Sequence, residues 1–124
     1  MFRRIILLAG TPGSGKSTIG KLCSQRYNIP HISTGDLIRQ EIRASTLRSD
    51  MLKSYVTFGM SVPTSLLTPI LMDRIRYEDC RYGIILDGYP RSISQYHHTK
   101  QFGLVEDVIV LDVDPITSKD RIIN

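Results

Sequence analysis

Nine residues near the start of the chain, Gly10-Thr11-Pro12-Gly13-Ser14-Gly15-Lys16-Ser17-Thr18, have the types and spacing needed to hold a phosphate. They fit G-x-x-x-x-G-K-[ST] at every required position, directly after the apolar run Ile5 to Ala9. Glycines let the backbone curl so that successive N–H groups point inward at phosphate oxygens. The amides of Gly13, Ser14 and Gly15 would form that cradle. Lys16 can reach the outer phosphates, and a hydroxyl from Ser17 or Thr18 can ligate the magnesium that nucleotides carry. A helix starting here adds its positive N-terminal end to the same site. A plain glycine-rich turn would also join strand to helix, but it does not require a lysine followed by a hydroxyl. The segment therefore reads as a nucleotide-phosphate site.

A second group lies near Asp87, which follows the apolar run Gly83-Ile84-Ile85-Leu86. A carboxylate at the end of a strand in a phosphate-loop protein can meet a magnesium ion directly or through water. The same residue could simply cap the Asp-Gly turn. Arg91, four residues on, can grip a phosphate in bidentate fashion, and Gln95 lies one helical turn further. The paired His97 and His98 sit on a polar helix without carboxylates at metal-binding spacing, and no role is assigned to them.

The elements that must position these residues alternate. Strand one, about Arg4 to Ala9, feeds the loop, and a helix follows from about Gly15 to Tyr27, with Ile19, Leu22 and Cys23 on one apolar face and Tyr27 a turn later. His31-Ile32-Ser33 is a short extended piece, and Ser33 or Thr34 caps a helix through about Ala44. A further helix runs from Leu47 to Gly59 and another from Ser65 to Tyr77, after the turn at Val62-Pro63-Thr64. Gly83 to Leu86 reads as a buried parallel strand. A polar helix from Ile93 to Phe102 leads to Val108-Ile109-Val110-Leu111, read as a second buried strand. Asp114-Pro115 opens a last helix. Apolar strands alternating with helices imply a parallel sheet covered on both faces. Ligands of such sheets bind at the carboxyl ends of the strands. That rule puts the phosphate loop, the Asp87 turn and the residues after Leu111 on one rim.

At 124 residues the chain is expected to form a single domain. Its 41% hydrophobic and 23% charged content is that of a globular protein. The net charge of +4 suits polyanionic small molecules, but without an arginine-rich run or a stacking pattern it does not argue for nucleic acid. Cys23 and Cys80 lack metal-ligand spacing and read as reduced thiols, which fits a cytoplasmic setting. The apolar run after the N-terminal basic pair stops at the glycine-rich loop, too short for a signal peptide, and no membrane-spanning stretch follows.

Three segments together resemble the adenylate kinase family: GTPGSGKST, the run His31-Ile32-Ser33-Thr34-Gly35-Asp36-Leu37-Ile38-Arg39, and Ile85-Leu86-Asp87-Gly88-Tyr89-Pro90-Arg91. They occur in the family's order and approximate spacing, over residues 1 to about 122. The resemblance implies a three-layer α/β fold of the P-loop NTPase class with a parallel sheet, truncated before the family's lid and last strand. It implies one kinase core over 1–124 with a helical AMP-binding arm at about 33–64, and transfer of the terminal phosphoryl group of ATP to AMP with Mg2+. Carried over by position, Thr34 and Gln95 would meet the adenine of AMP, while Arg39 and Arg91 would hold its phosphate. Gly35, Gly59, Val62 and Gly88 would line that site. Lys16 and Arg91 would serve catalysis, Arg121 would stack on the donor adenine, and Ser17, Thr18 and Asp87 would support the metal. Apart from the resemblance, Arg39 and Arg121 read as solvated helix charges.

Two local departures stand out. Ser17 replaces a usual glycine, and Gly59-Met60-Ser61-Val62-Pro63-Thr64 departs from G-x-L-V-P-D, losing a leucine and an aspartate. A pyrimidine monophosphate kinase shares the architecture, but tends to carry alanine and asparagine where this chain has Thr34 and Gln95. A nucleotide-binding module without turnover is the alternative outside the kinases. In the family's strand order the last strand pairs beside Val108 to Leu111, so that run is expected to be an edge open to self-association or to a second polypeptide.

Overall fold

A computed structural model describes residues 3–11 and 14–111. Four strands, β1 (Arg4–Gly10), β2 (His31–Ser33), β3 (Gly83–Asp87) and β4 (Leu104–Leu111), form one sheet in the order β2-β3-β1-β4. Every pairing is parallel. The helices are α1 (Lys16–Tyr27), α2 (Thr34–Arg43), α3 (Ser49–Thr57), α4 (Thr64–Ile75) and α5 (Ile93–Thr99), with a 3₁₀ turn at Glu78–Cys80. The α/β architecture with a parallel sheet is therefore as expected.

Strand pleat decides which side chains meet which helix, because alternate residues point to opposite faces. Ile5 and Leu7 pair in register with Ile84 and Leu86, and all four join Leu67, Leu71 and Ile75 of α4 in the main core. On the other face lie His31 and Ile85, which are register partners, and Ser33 with Asp87. There α1 packs through Gly20, which lies against the His31 ring. Every residue of β3 is buried, as a central parallel strand requires.

Local chemistry sets the ends of the helices. Ser33 caps α2 by accepting a hydrogen bond from the Asp36 amide at 3.3 Å, and Ser92 caps α5 through the Gln95 amide at 3.2 Å. Beyond α3, Gly59 takes a positive φ of 66° and the chain turns back, with the Met60 amide donating to the Tyr55 carbonyl.

The apolar face of α1 is not its buried one: Leu22 and Tyr27 are exposed, and the buried residue is Gly20. The helix approaches the sheet through its smallest side chain because the His31 ring fills the space there. The strand read as buried from Val108 to Leu111 begins at Leu104 instead, and Val108 and Val110 are 50% and 67% exposed. It is the outer strand of the described sheet, so one long side has no neighbour there. A register shift between Ile5 and Ile6 admits the extra residue Glu106, whose charge had hidden the start of the strand. The expected helix after Asp114 lies outside the described residues.

Candidate functional site

The carboxyl ends of β1 and β3 lie side by side, with Leu8 in register with Asp87. After β1 the chain turns, the Ser14 amide donating to the Thr11 carbonyl at 3.1 Å. A Cβ on Gly10 would stand 2.8 Å from the Ser14 Oγ and 3.2 Å from the Leu111 carbonyl oxygen, so a side chain there would crowd the loop where it folds back. Gly15 takes a φ of 87° at the start of α1. That helix has no capping side chain and no acidic residue in its first turn, which leaves its positive end uncompensated. The Ser14 hydroxyl is buried without a hydrogen-bond partner among the described residues. The side chains of Ser17 and Thr18, on the first turn, are exposed. Pro12 and Gly13 lie outside the described residues.

Lys16 opens α1 and reaches across to β3, its Nζ 3.2 Å from Asp87 Oδ1. The other carboxylate oxygen, Oδ2, accepts from His31 Nε2 at 2.8 Å. Burial by itself would raise the carboxyl pKa of Asp87, but the hydrogen bonds and charge of His31 and Lys16 outweigh it and hold the group below its ordinary value of 3.8. An ionised carboxylate only accepts, so His31 Nε2 is the donor in this contact. The His31 ring has room because Gly20 faces it: a Cβ on Gly20 would stand 2.6 Å from Nε2.

Beyond Asp87 the backbone turns through Gly88 at a φ of 86°. A Cβ there would be 2.6 Å from the Thr34 hydroxyl, so Gly88 is required by conformation and by space together. Thr34 is buried at the start of α2 and donates toward the Asp87 carbonyl at 3.4 Å. Two clefts open here. One, of about 430 Å³, is lined by Gly10, Lys16, Gly88 and Arg91 among others. The second, of about 530 Å³, is lined by Thr34, Gly35, Val62, Gly88, Arg91 and Gln95, with Met60 from the segment after α3 and Thr64 at the start of α4. Gly88 and Arg91 line both, so the clefts adjoin. Arg91 is oriented through its Nε, which donates to the Gly88 carbonyl at 3.0 Å, and it forms no ion pair among the described residues.

Most of the residues singled out in the sequence thus converge on this rim. Two stand apart from the second cleft's lining. Arg39 is ion-paired to Asp36, and its guanidinium lies over Gly35, where a Cβ would meet Nη1 at 3.3 Å. Gly59 is exposed, with open space where a side chain would be. Arg121 lies outside the described residues. Sequence reasoning gave no role to His31 or Gly20. Two-residue alternation puts His31 on the face of Asp87, but only the pairing of β2 with β3 makes that alternation readable.

The oxygen donors of Asp87, Ser17 and Thr18 suit a hard cation such as Mg2+. Among the described residues no group of three or more His, Cys, Asp or Glu forms a cage, so such an ion would take its remaining ligands from phosphate and water. No helix among the described residues is long and apolar enough to cross a membrane.

Comparison with known proteins identifies the family. The profile of the family described as Adenylate kinase matches residues 8–124. The chain is 45% identical over 97 residues to an adenylate kinase of Clostridium tetani, covering 78% of this chain and 45% of that protein. It is 43% identical over 116 residues to an adenylate kinase of Clostridioides difficile, covering 90% of this chain and 53% of that one. A third, from Methanocella arvoryzae, is 45% identical over 89 residues, covering 72% of this chain and 41% of its own length. The chain spans about half the length of these curated relatives. With a profile match over nearly all of its residues and the loop, the Asp87 turn and Arg91 gathered on one rim, this chain belongs to the adenylate kinase family.

Proposed function

We propose that the chain binds ATP and AMP in the two adjoining clefts and moves the terminal phosphoryl group from one to the other, giving two ADP. The observation that carries this reading is the shared wall of Gly88 and Arg91. One cleft holds Lys16 beside the open N-terminus of α1, the other Thr34 and Gln95. A donor phosphate chain would run over Gly13, Ser14, Gly15 and Lys16, with the Ser14 hydroxyl free to donate to it. AMP would seat its base near Thr34 and Gln95, against Gly35, Val62 and Gly88, and its phosphate toward Arg91, with Arg39 and Gly59 at the margin. Arg121 would meet the donor adenine.

Phosphoryl transfer asks the protein for alignment and for neutralisation of spreading charge rather than for covalent chemistry. Lys16 and Arg91 supply fixed cations on either side of the junction. Asp87, kept ionised by His31 and Lys16, with Ser17 and Thr18, would hold Mg2+, which adds further positive charge at the phosphates when bound. The acceptor phosphate already carries its attacking oxygen as an anion, so no general base is needed.

The same reading treats 1–124 as one kinase core with 33–64 as its AMP-binding arm, working in the cytoplasm on nucleotides rather than on nucleic acid or membrane. The exposed outer strand β4 supports self-association or pairing with another polypeptide. Titrating AMP, CMP and UMP beside a coupled ADP assay tests the reading. AMP preference with AMP-dependent ADP formation is expected. A pyrimidine preference would select the sister kinases, and binding without turnover would select a nucleotide-binding module.

A further inference from the structure

The turn that carries Asp87 and Arg91 is held from outside at both ends. Thr34 donates toward the Asp87 carbonyl at 3.4 Å, and the Arg91 amide donates to Gln95 Oε1 at 2.7 Å. Its middle is held by Tyr89. Gly88 has no side chain and Pro90 is half-buried, whereas Tyr89 is 2% exposed and sits in the main core with Leu67 and Leu71 of α4. Its ring lies 6.3 Å from that of Phe102. A buried tyrosine hydroxyl ordinarily finds a partner. This one is sealed from water without a hydrogen bond of full geometry among the described residues, and so is the hydroxyl of Thr68. The two lie side by side: burial pushes the Tyr89 phenol above its ordinary value of 10.0, and the Thr68 hydroxyl pulls it the other way.

A hydroxyl both donates and accepts, so a single bond between the pair satisfies both. Thr68 stands one turn beyond Thr64 on α4, and Thr64 and Leu67 line the second cleft. We propose that Tyr89 is a positioning residue for phosphoryl transfer: its hydroxyl, joined to that of Thr68, braces the turn against α4 and so fixes the Arg91 guanidinium between the two clefts. The brace reaches Arg91 through its Nε, which donates to the carbonyl of Gly88, the residue before Tyr89, at 3.0 Å. The inference rests on the reading of Arg91 as the cation shared by donor and acceptor phosphates.

The test uses the 124-residue chain with Tyr89→Phe and Thr68→Val, which each remove one hydroxyl and keep the shape, the two combined, and Thr68→Ser, which restores the hydroxyl. Circular dichroism verifies folding. The first readout needs no ligand: exchange of the Arg91 Nε–H with water, followed by NMR, should quicken by about fivefold in either single variant, the scale of one lost hydrogen bond. The double variant should show no more than either single one, because the partners act as a pair, and Thr68→Ser should match the wild type. In coupled ADP assays kcat should fall by about fivefold in each single variant with KM for ATP unchanged, a split that a general loss of stability would not produce. Folded single variants with wild-type Arg91 exchange or wild-type kcat, or losses that add in the double variant, overturn the inference and leave the transfer reading standing. A wild type that forms no ADP overturns the transfer reading, while Arg91 exchange still decides whether the brace exists.

Discussion

Replacing Gly20 by alanine sets two effects of opposite sign against each other. In a helix interior the change is ordinarily worth about 1 kcal/mol of added stability, because glycine carries the larger entropy cost. Here the new methyl would stand 2.6, 2.7 and 2.9 Å from three atoms of the His31 ring. The ring cannot easily yield, since it is nearly buried and bonded to Asp87 at 2.8 Å. Overpacking of this kind costs about 1–3 kcal/mol. Relieving it by moving the ring gives up a hydrogen bond to a charged group, worth about 1.5–3 kcal/mol. These two costs are alternatives, so the smaller applies, and about 2 kcal/mol of loss faces about 1 of gain. Gly20→Ala is therefore expected to destabilise the fold by about 1 kcal/mol, measured by urea unfolding at neutral pH. In a His31→Ala background the clash disappears, and the same substitution should stabilise by about 1 kcal/mol. A Gly20→Ala chain as stable as the wild type, with no change of sign in the second background, would refute the packing of α1 on His31.

Lys16→Met should leave the fold intact, since Asp87 keeps its bond to His31, while phosphoryl transfer falls by about two to three orders of magnitude; unchanged transfer and ATP affinity would contradict the site. Asp87 has its pKa depressed below 3.8 in the folded chain, so its contribution to stability is complete above that pH and is lost as pH falls through the lower folded value. Urea midpoints measured from pH 6 to pH 2.5 should drop less steeply in Asp87→Asn, and parallel curves would count against the ion-paired site. Val110, 67% exposed on the outer strand, is a place to put a charge without touching the core; Val110→Lys should lower self-association in sedimentation velocity at unchanged thermal stability, and equal association would exonerate that edge.

The phosphate loop and the Asp87-to-Arg91 turn were legible in the sequence because their chemistry is local. A loop that wraps a phosphate needs its glycines, lysine and hydroxyl within one turn of chain, and an arginine four residues past a strand end stays near it. The buried strand β3 was equally plain, since a central parallel strand is apolar throughout. What the sequence hid depends on contacts between distant segments. His31 gains its meaning only when β2 pairs with β3, and Gly20 only when α1 lies on that ring. Apolar spacing in α1 groups Leu22 with Ile19 and Cys23, yet close approach favoured the residue with no side chain. In β4 the four apolar residues suggested burial, but an outer strand leaves Val108 and Val110 open, and it tolerates Glu106 and Asp107 near its start. The bond between Thr64 and Gln95 spans 31 residues and could not be read from either segment alone.

If the two clefts sharing Arg91 hold a phosphoryl donor and its acceptor, ADP forms from ATP only together with AMP. Phosphorus NMR of the chain mixed with ATP, AMP and Mg2+ counts ADP and inorganic phosphate in the same sample. ADP in excess of phosphate is expected, appearing only when AMP is present and vanishing in Lys16→Met. ATP loss that ignores AMP and yields ADP and phosphate in equal amounts would rule out the paired donor and acceptor sites.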